Sequence, residues 1–156
     1  MSKEYPTVRE AIQKLEHYCA YQERCHDEVT QKLRTLKMTT EETDQIIVHL
    51  INENFLNEER FACSFARGKH RIKHWGKIRI VRELQLRHIS KYNIDKALKE
   101  IPVNEYLENF HSWAEKHWDF IAESDLQKKK KKWSDYFLRK GFESNLVYEK
   151  INDLTA

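Results

Sequence analysis

Three stretches of this chain resemble one another at nearly constant spacing, and this repetition constrains the fold more than any other feature. KLRTLKMTTEETDQIIVHL, which begins at Lys32, aligns without gaps with ELQLRHISKYNIDKALKEI, which begins at Glu83, at a shift of 51 residues. YFLRKGFESNLVYEKINDL from Tyr136 follows at a shift of 53 residues. Equivalent positions are Leu33, Leu84 and Phe137, then Met38, Ile89 and Phe142, then Ile47, Leu98 and Ile151. Repetition at about fifty residues predicts stacked copies of one small unit.

Each copy has the pattern of one helix that ends, an apolar residue, and a second helix that begins. Ser90 is a good N-cap, and Thr39 with Glu42 forms a capping box. Another stretch of helical periodicity precedes each copy; these stretches run from about 7 to 21, from about 57 onward and from about 104 to 121. With three Gly and two Pro, the chain is poorly supplied for loops and β-turns.

The sequence therefore predicts an all-α fold: three tandem three-helix repeats in an elongated, curved array. The predicted repeats cover residues 5–56, 57–102 and 103–156, and no strand is expected. A repeat of fifty residues disfavours a scaffold of tetratricopeptide type, whose repeat is about 34 residues long.

The compartment can also be predicted. No apolar run approaches the roughly eighteen residues of a membrane span. The first residues, MSKEYPTVREAIQKL, lack the pattern of a secretory signal. Cys19, Cys25 and Cys63 are odd in number and form no CxxC pair. We expect a cytoplasmic monomer without disulfides and without membrane contact.

Positive charge is concentrated in the middle of the chain. Residues 60–91 hold ten Lys and Arg and one acid, a balance of +9, although the whole chain carries only +3. A solvated helix normally mixes both signs, because like charges repel. Two interpretations remain: a basic face that is merely solvated, or a surface that binds a polyanion such as DNA.

The candidate DNA- and filament-binding residues come from this segment. Arg60, Arg67 and Arg71 return to one face of a predicted helix, since they are seven and four residues apart. The full set is Arg60, Arg67, Lys69, Arg71, Lys73, Lys77, Arg79, Arg82 and Arg87.

The helix that follows Gly76 has two faces in this interpretation. Ile78, Val81 and Leu84 are expected to anchor it to the core. Arg79 and Arg82 are then expected on its outer face.

A second basic run is less specific. Lys128, Lys129, Lys130, Lys131 and Lys132 surround a predicted helix, so they cannot all face one partner. They form either a solvated helix start or a secondary phosphate-binding site.

Trp75 with Gly76 either fills the joint between two helices or stacks on a base, and we favour the joint. His70 and His74 are four residues apart, but no third metal ligand is visible nearby. Motifs of nucleophilic, phosphate-loop or paired-carboxylate chemistry are absent from the sequence. We expect no enzymatic activity, no metal and no cofactor.

The stretch ENFLNEERFACSFARGKHRIKHWGKIRIVRELQLRHIS resembles the signature of the RecX family, bacterial regulators of the RecA recombinase. The matching pairs and triplets are Phe55-Leu56, Arg60-Phe61-Ala62, Trp75-Gly76, Arg79-Ile80 and Glu83-Leu84. The resemblance covers about Leu15 to Ile101 and continues to Leu154, with the family's glycine kept at Gly141. Asn57-Glu58 replaces an acidic pair, and Lys37 and His88 stand where a helix-ending glycine is usual.

The resemblance implies tandem three-helix repeats with Phe61, Ala62, Trp75, Gly76 and Leu84 as structural positions. It also implies a protein that lies in the groove of the RecA–DNA filament and inhibits strand exchange, coprotease activity and ATP hydrolysis. The implied setting is homologous recombination, DNA repair and the SOS response. The implied partners are the RecA filament and single- and double-stranded DNA on the basic face. The alternative is a free-standing helical DNA-binding protein without RecA as its target.

Overall fold

The computed structural model describes residues 4–156, and within them the chain forms nine α-helices and no strand. The helices are α1 (Val8–Tyr21), α2 (His26–Thr35), α3 (Thr40–Asn52), α4 (Glu58–Arg71), α5 (Lys77–Leu86), α6 (Lys91–Leu98), α7 (Val103–Phe120), α8 (Leu126–Lys140) and α9 (Ser144–Leu154). The all-α prediction is confirmed. We call α1–α3 the first unit, α4–α6 the second and α7–α9 the third. None of these helices combines the length and the hydropathy that a membrane span requires.

The predicted helix starts at Thr39 and Ser90 are confirmed by their hydrogen bonds. Thr39 Oγ1 accepts the backbone N–H of Glu42 at 3.1 Å, and Thr39 N–H donates to Glu42 Oε1 at 2.9 Å. Ser90 Oγ accepts the N–H of Asn93 at 3.2 Å. Each cap provides an acceptor for an N–H group that lacks a partner within the helix.

The turn after the second helix of each unit is the same in all three units. Its left-handed residue is Lys37 (φ 61°), His88 (φ 58°) or Gly141 (φ 95°). The residue that follows donates its N–H to a carbonyl five residues earlier, a Schellman-type bond. These bonds are Met38 to Leu33, Ile89 to Leu84 and Phe142 to Phe137, each 3.1 Å long. The repeat alignment therefore holds in the backbone even where the glycine is missing.

The hydrophobic side chains form two cores. Most of the first unit packs in its own core, built around Leu15, Leu33 and Ile46, but Cys25 at the start of α2 belongs to the other core. The second and third units share one core, in which Ile80 of α5 belongs to the same cluster as Phe110 of α7. Domain boundaries at residues 56 and 102 stay a prediction, as does the curved shape of the array.

The predicted anchor of α5 is wrong at Ile78, which is 43% exposed. Ile80 and Leu84 are the buried residues of this helix, and Val81 is half-buried. Two residues correspond to about 200° around a helix, so burial of Ile80 turns Ile78 outward. The first turn of α5 also lies against the end of α8, which fixes its rotation.

Candidate nucleic-acid interface

The three arginines expected to form one basic face of α4 are paired with acids. Two of those acids belong to other units, and one lies just after α6. Arg60 Nε is 2.6 Å from Glu23 Oε2, Arg67 Nη1 is 2.7 Å from Glu100 Oε1, and Arg71 Nε is 3.0 Å from Glu105 Oε2. The hydrogen bond from Arg71 lowers the pKa of Glu105. All three acids lie outside residues 60–91, so the fold neutralises much of the local charge excess.

Arg60 also holds the connection between the first and second units. Beyond Glu23, its guanidinium donates to Asn54 Oδ1 at 3.1 Å and to the carbonyls of Asn54 and Phe55 at 3.0 and 3.3 Å. A phosphate at Arg60 would have to displace these bonds.

Arg87 and Lys69 cover aromatic rings. Arg87 Nη1 pairs with Glu83 at 3.0 Å, and its guanidinium lies 4.9 Å from the Phe65 ring centroid. Lys69 Nζ lies 5.4 Å from the Phe65 centroid and 5.0 Å from that of Trp75. Cations over ring faces are stabilised there, whether or not a partner binds.

The family-signature residues are structural in their placement. Phe61, Ala62 and Leu84 belong to the shared core. Trp75 is half-buried against that core, and its ring meets Phe65 edge-on at 6.0 Å. Trp75 thus lies in the joint between α4 and α5, with one side covered by cations.

Backbone groups of the third unit cap the first turn of α5. Gly76 N–H donates to Lys140 O at 2.7 Å, and Ile78 N–H donates to Gly141 O at 3.0 Å. A Cβ on Gly76 would lie 2.4 Å from the carbonyl carbon of Gly141, and one on Gly141 would lie 2.3 Å from Arg79 Cβ. Only glycine permits this approach, which brings the positive end of α5 to the negative end of α8.

Tyr106 completes the cap. Its buried hydroxyl accepts the N–H of Lys77 at 3.0 Å and donates to Glu143 Oε1 at 2.7 Å. Burial raises the pKa of Tyr106 far above its usual value, so the phenol stays protonated. Lys77 Nζ lies 4.6 Å from the centre of the same ring.

His70 is fully buried beneath this joint, and both of its ring nitrogens are engaged. Nδ1 lies 2.9 Å from Trp75 O, and Nε2 lies 3.1 Å from Asn109 Nδ2. These partners assign Nδ1–H as the donor and Nε2 as the acceptor. Burial lowers the pKa of His70, which favours the neutral ring. His74, four residues later, stacks on Trp113.

Five cations around the joint between α5 and α8 form no ion pair with any carboxylate of residues 4–156. We call Lys73, Lys77, Arg79, Arg82 and Lys140 the joint cluster. Lys140 Nζ donates to Lys73 O at 3.0 Å, and Arg79 lies 4.2 Å from the Trp75 ring centroid. Burial lowers the pKa of Lys140, as do the charges of Arg79 and Lys73. Arg79 and Lys73 therefore repel Lys140, and no ion pair with a described carboxylate offsets this repulsion.

Arg79 lies elsewhere than the sequence predicted, and Lys140 was not predicted as a site residue. Arg79 is half-buried in the joint rather than on the outer face, and its Nη1 donates to Arg139 O at 3.4 Å. Arg82 is exposed, as expected. Lys140 was missed, although its position beside Gly141 in the family-like motif YFLRKGF was a usable signal.

The lysine run of α8 lies apart from the joint cluster. Lys131 pairs with Asp135 and Lys132 with Glu123, both at 2.9 Å. Lys129 Nζ lies 4.2 Å from the centre of the Trp118 ring. Lys128 and Lys132 lie twelve and eight positions before Lys140, which is about 18 Å and about 12 Å along a helix. The run therefore lies in the first half of α8, whereas the joint cluster contains the last residue of this helix.

Fold and site define a class: an all-α tandem-repeat protein with an unneutralised basic joint between two of its units. The model of the second three-helix domain of RecX matches residues 57–98, and that of the third matches residues 104–151. The chain belongs to the RecX family.

Similar curated proteins carry the name regulatory protein RecX. The one from Bacillus cytotoxicus is 23% identical over 147 residues, which cover 94% of this chain and 54% of the relative. The one from Halalkalibacterium halodurans is 25% identical over 138 residues, which cover 88% and 52%. The chain spans about half the length of these relatives.

Two solved structures share the fold. A crystal structure of regulatory protein RecX superposes with a TM-score of 0.81 at 23% identity, covering 94% of this chain and 73% of the other. RecX from Lactobacillus salivarius gives a TM-score of 0.78 at 24% identity, covering 95% and 96%.

Proposed function

We propose that this protein is a negative regulator of the RecA recombinase. In this proposal it lies in the groove of the RecA–DNA filament and inhibits strand exchange, coprotease activity and ATP hydrolysis. The observation that carries the proposal is the joint cluster, which lies where the two domains matched to the RecX family meet. The curated relatives are named regulatory proteins, which agrees with this role.

The joint cluster is the proposed DNA contact. Cations gain most from phosphates when no protein acid already neutralises them, because counterion release then adds to the attraction. Lys73, Lys77, Arg79, Arg82 and Lys140 meet this condition. The paired arginines of α4 then serve mainly to hold neighbouring segments together.

The outer face of α5 is the proposed RecA contact. Ile78 and Val81 lie between Lys77 and Arg82 around an open depression of about 360 Å³. Exposed apolar residues flanked by cations suit a protein surface that also approaches a polyanion.

The test is RecA-catalysed strand exchange with two double variants that remove equal charge. Lys77→Ala/Arg82→Ala removes two members of the joint cluster. Lys14→Ala/Arg34→Ala removes two exposed cations of the first unit. We expect the wild type and the first-unit variant to slow strand exchange, and the joint variant to lose most of this inhibition.

Two outcomes would contradict the proposed function. If the wild type binds DNA equally with and without RecA, and strand exchange proceeds at its usual rate, the protein is a free-standing DNA-binding protein. If both double variants lose inhibition equally, total charge rather than the joint cluster controls the activity.

A further inference from the structure

Beside the joint cluster, the third unit carries a cavity of about 290 Å³ whose lining is largely aromatic. It lies between the α4–α5 turn, the second half of α7 and the second half of α8. The residues that matter here are His74, Trp113, Lys116, His117, Phe120 and Tyr136.

The rings of the cavity form two flat stacks. The His74 and Trp113 centroids are 3.8 Å apart with 13° between the planes, and those of His117 and Tyr136 are 3.8 Å apart with 18°. Phe120 lies at the rim, 6.1 Å from His117 and 26° from parallel, and it is 80% exposed. A large apolar ring left in water next to stacked rings offers a surface on which another flat ring can stack.

The charge around these rings has one sign. Lys116 lines the cavity, and Lys140 Nζ lies 5.5 Å from the Tyr136 centroid. Among residues 4–156, no carboxylate belongs to the lining. Burial lowers the pKa of both His74 and His117, and the charge of Lys140 lowers each pKa further. At neutral pH the two imidazoles are therefore uncharged flat rings surrounded by cations.

We propose that this cavity, the ring pocket, takes an unpaired base of single-stranded DNA, with the adjoining phosphates on Lys116 and Lys140. Stacked rings accept any base through its π-face, and lysines beside them hold the backbone. Lys140 of the joint cluster lies beside the ring pocket, 5.5 Å from the Tyr136 ring centroid, so one strand can follow both. Duplex DNA keeps its bases stacked and cannot enter. An acidic peptide would engage the lysines but leave the ring faces unused. The inference rests on the proposed function only in taking DNA as the ligand of the joint cluster.

The test uses the full chain and DNA alone, without RecA. Phe120→Ala removes the exposed ring, Phe120→Tyr keeps it, and Tyr92→Ala removes a 63% exposed ring of α6 outside the pocket. Fluorescence anisotropy would compare three probes: oligothymidylate, an abasic oligomer with the same number of phosphates, and a duplex. We expect Phe120→Ala to weaken oligothymidylate binding by about 5-fold to about 100-fold, since one stacked base contributes that much. Its affinity for the abasic oligomer and the duplex should stay unchanged, and the other two variants should bind like the wild type.

Two results would overturn the ring pocket. One is wild-type affinity of Phe120→Ala for oligothymidylate, which would mean that the exposed ring does not stack on a base. The other is an equal loss of affinity for the abasic oligomer. Because RecA is absent, either result leaves the strand-exchange test of the joint cluster standing, and failure of that test leaves this one intact.

Discussion

Helices α4 and α5 carry charge of the same sign but lie in opposite surroundings. The arginines of α4 meet Glu23, Glu100 and Glu105, all of which lie outside the basic segment in sequence. Arg79 of α5 instead lies close enough to Lys140 to lower its pKa, and Lys77 and Arg82 form no ion pair among residues 4–156. A charge excess counted over a window of sequence therefore does not locate a binding surface, because the counter-ions can come from other parts of the chain.

The difference separates two uses of a cation. An ion pair at a partly exposed surface contributes only about 0–1 kcal/mol, so the α4 pairs mainly fix which segments lie together. Unpaired cations add no such contact and repel one another, which leaves them available for a polyanion. Substitutions of Gly76, Arg60 and Arg82 test this distinction, and a substitution of His70 tests the buried ring beneath the joint.

Gly76→Ala should have the largest effect, because it separates α5 from α8 and disperses the joint cluster. The added Cβ would overlap the Gly141 backbone, and the hydrogen bonds to Lys140 O and Gly141 O would be lost. We expect the free energy of unfolding in urea to fall by about 3 kcal/mol. DNA affinity should fall with it.

Gly68→Ala is the matched control for that variant. A Cβ on Gly68 meets nothing within 4 Å, and alanine favours a helix by up to about 1 kcal/mol over glycine. It should stabilise the protein. Equal unfolding curves for Gly76→Ala and the wild type would show that the close backbone contact does not hold the joint.

Arg60→Ala should have the second-largest effect on the free energy of unfolding. It removes bonds to Glu23, Asn54 and Phe55, and we expect the free energy of unfolding to fall by about 1–2 kcal/mol with little change in DNA affinity. Combining it with Glu23→Gln should add less than the sum of the two effects. A large loss of DNA affinity at unchanged stability would place Arg60 with the joint cluster instead.

The third prediction concerns pH and His70. Burial lowers the pKa of His70 in the folded protein, so between that lowered pKa and the ordinary histidine pKa of about 6.5 the unfolded chain binds more protons than the folded chain. The free energy of unfolding that the neutral His70 ring contributes is fully present above about pH 6.5. It is lost as the pH falls below that value, at up to about 1.4 kcal/mol per pH unit. Melting temperatures between about pH 8 and about pH 5.5 would measure the loss.

His70→Gln should flatten this dependence, and His111→Gln, on an exposed site of α7, should not. Some slope should remain, because burial also lowers the pKa of His74 and His117. An unchanged slope in His70→Gln would mean that His70 is not the group that must stay neutral.

Arg82→Ala should have the smallest effect on folding, within about 0.5 kcal/mol, because the side chain is exposed and has no ion pair among the described residues. The log–log dependence of DNA affinity on salt should flatten by about 0.9 for duplex and about 0.7 for single strands. Arg67→Ala, which removes a paired arginine, should leave that slope nearly unchanged. Equal flattening in both variants would erase the distinction between α4 and α5.

The fold was predictable because its determinants are local. N-caps and apolar spacing act within a few helical turns, so α3 and α6 begin where Thr39 and Ser90 indicate. The rotation of α5 was not predictable in this way. It depends on Gly76 meeting Gly141, sixty-five residues later, and this contact buries Ile80 instead of Ile78.

The candidate site was predictable only in part, because some of its residues are close in sequence and others meet only in the folded chain. The basic segment itself gave Lys77, Arg79 and Arg82, but not the acids that neutralise α4. Lys140 and the ring pocket depend on three distant segments that meet only in the folded chain. Periodicity reports which face of a helix is buried, and it carries no information about which other helix covers that face.

The two hydrophobic cores also bear on how the molecule opens. Three copies along the chain suggest that the protein opens in three independent steps. However, α4 to α9 surround a single core, and α1 to α3 surround most of another. Segments that share a core exchange their amide protons together, because neither can open without exposing the other. The first unit should therefore form one cooperative exchange unit and the remaining six helices a second. The joint that carries the cations lies inside the second, so its geometry persists while the first unit opens and closes.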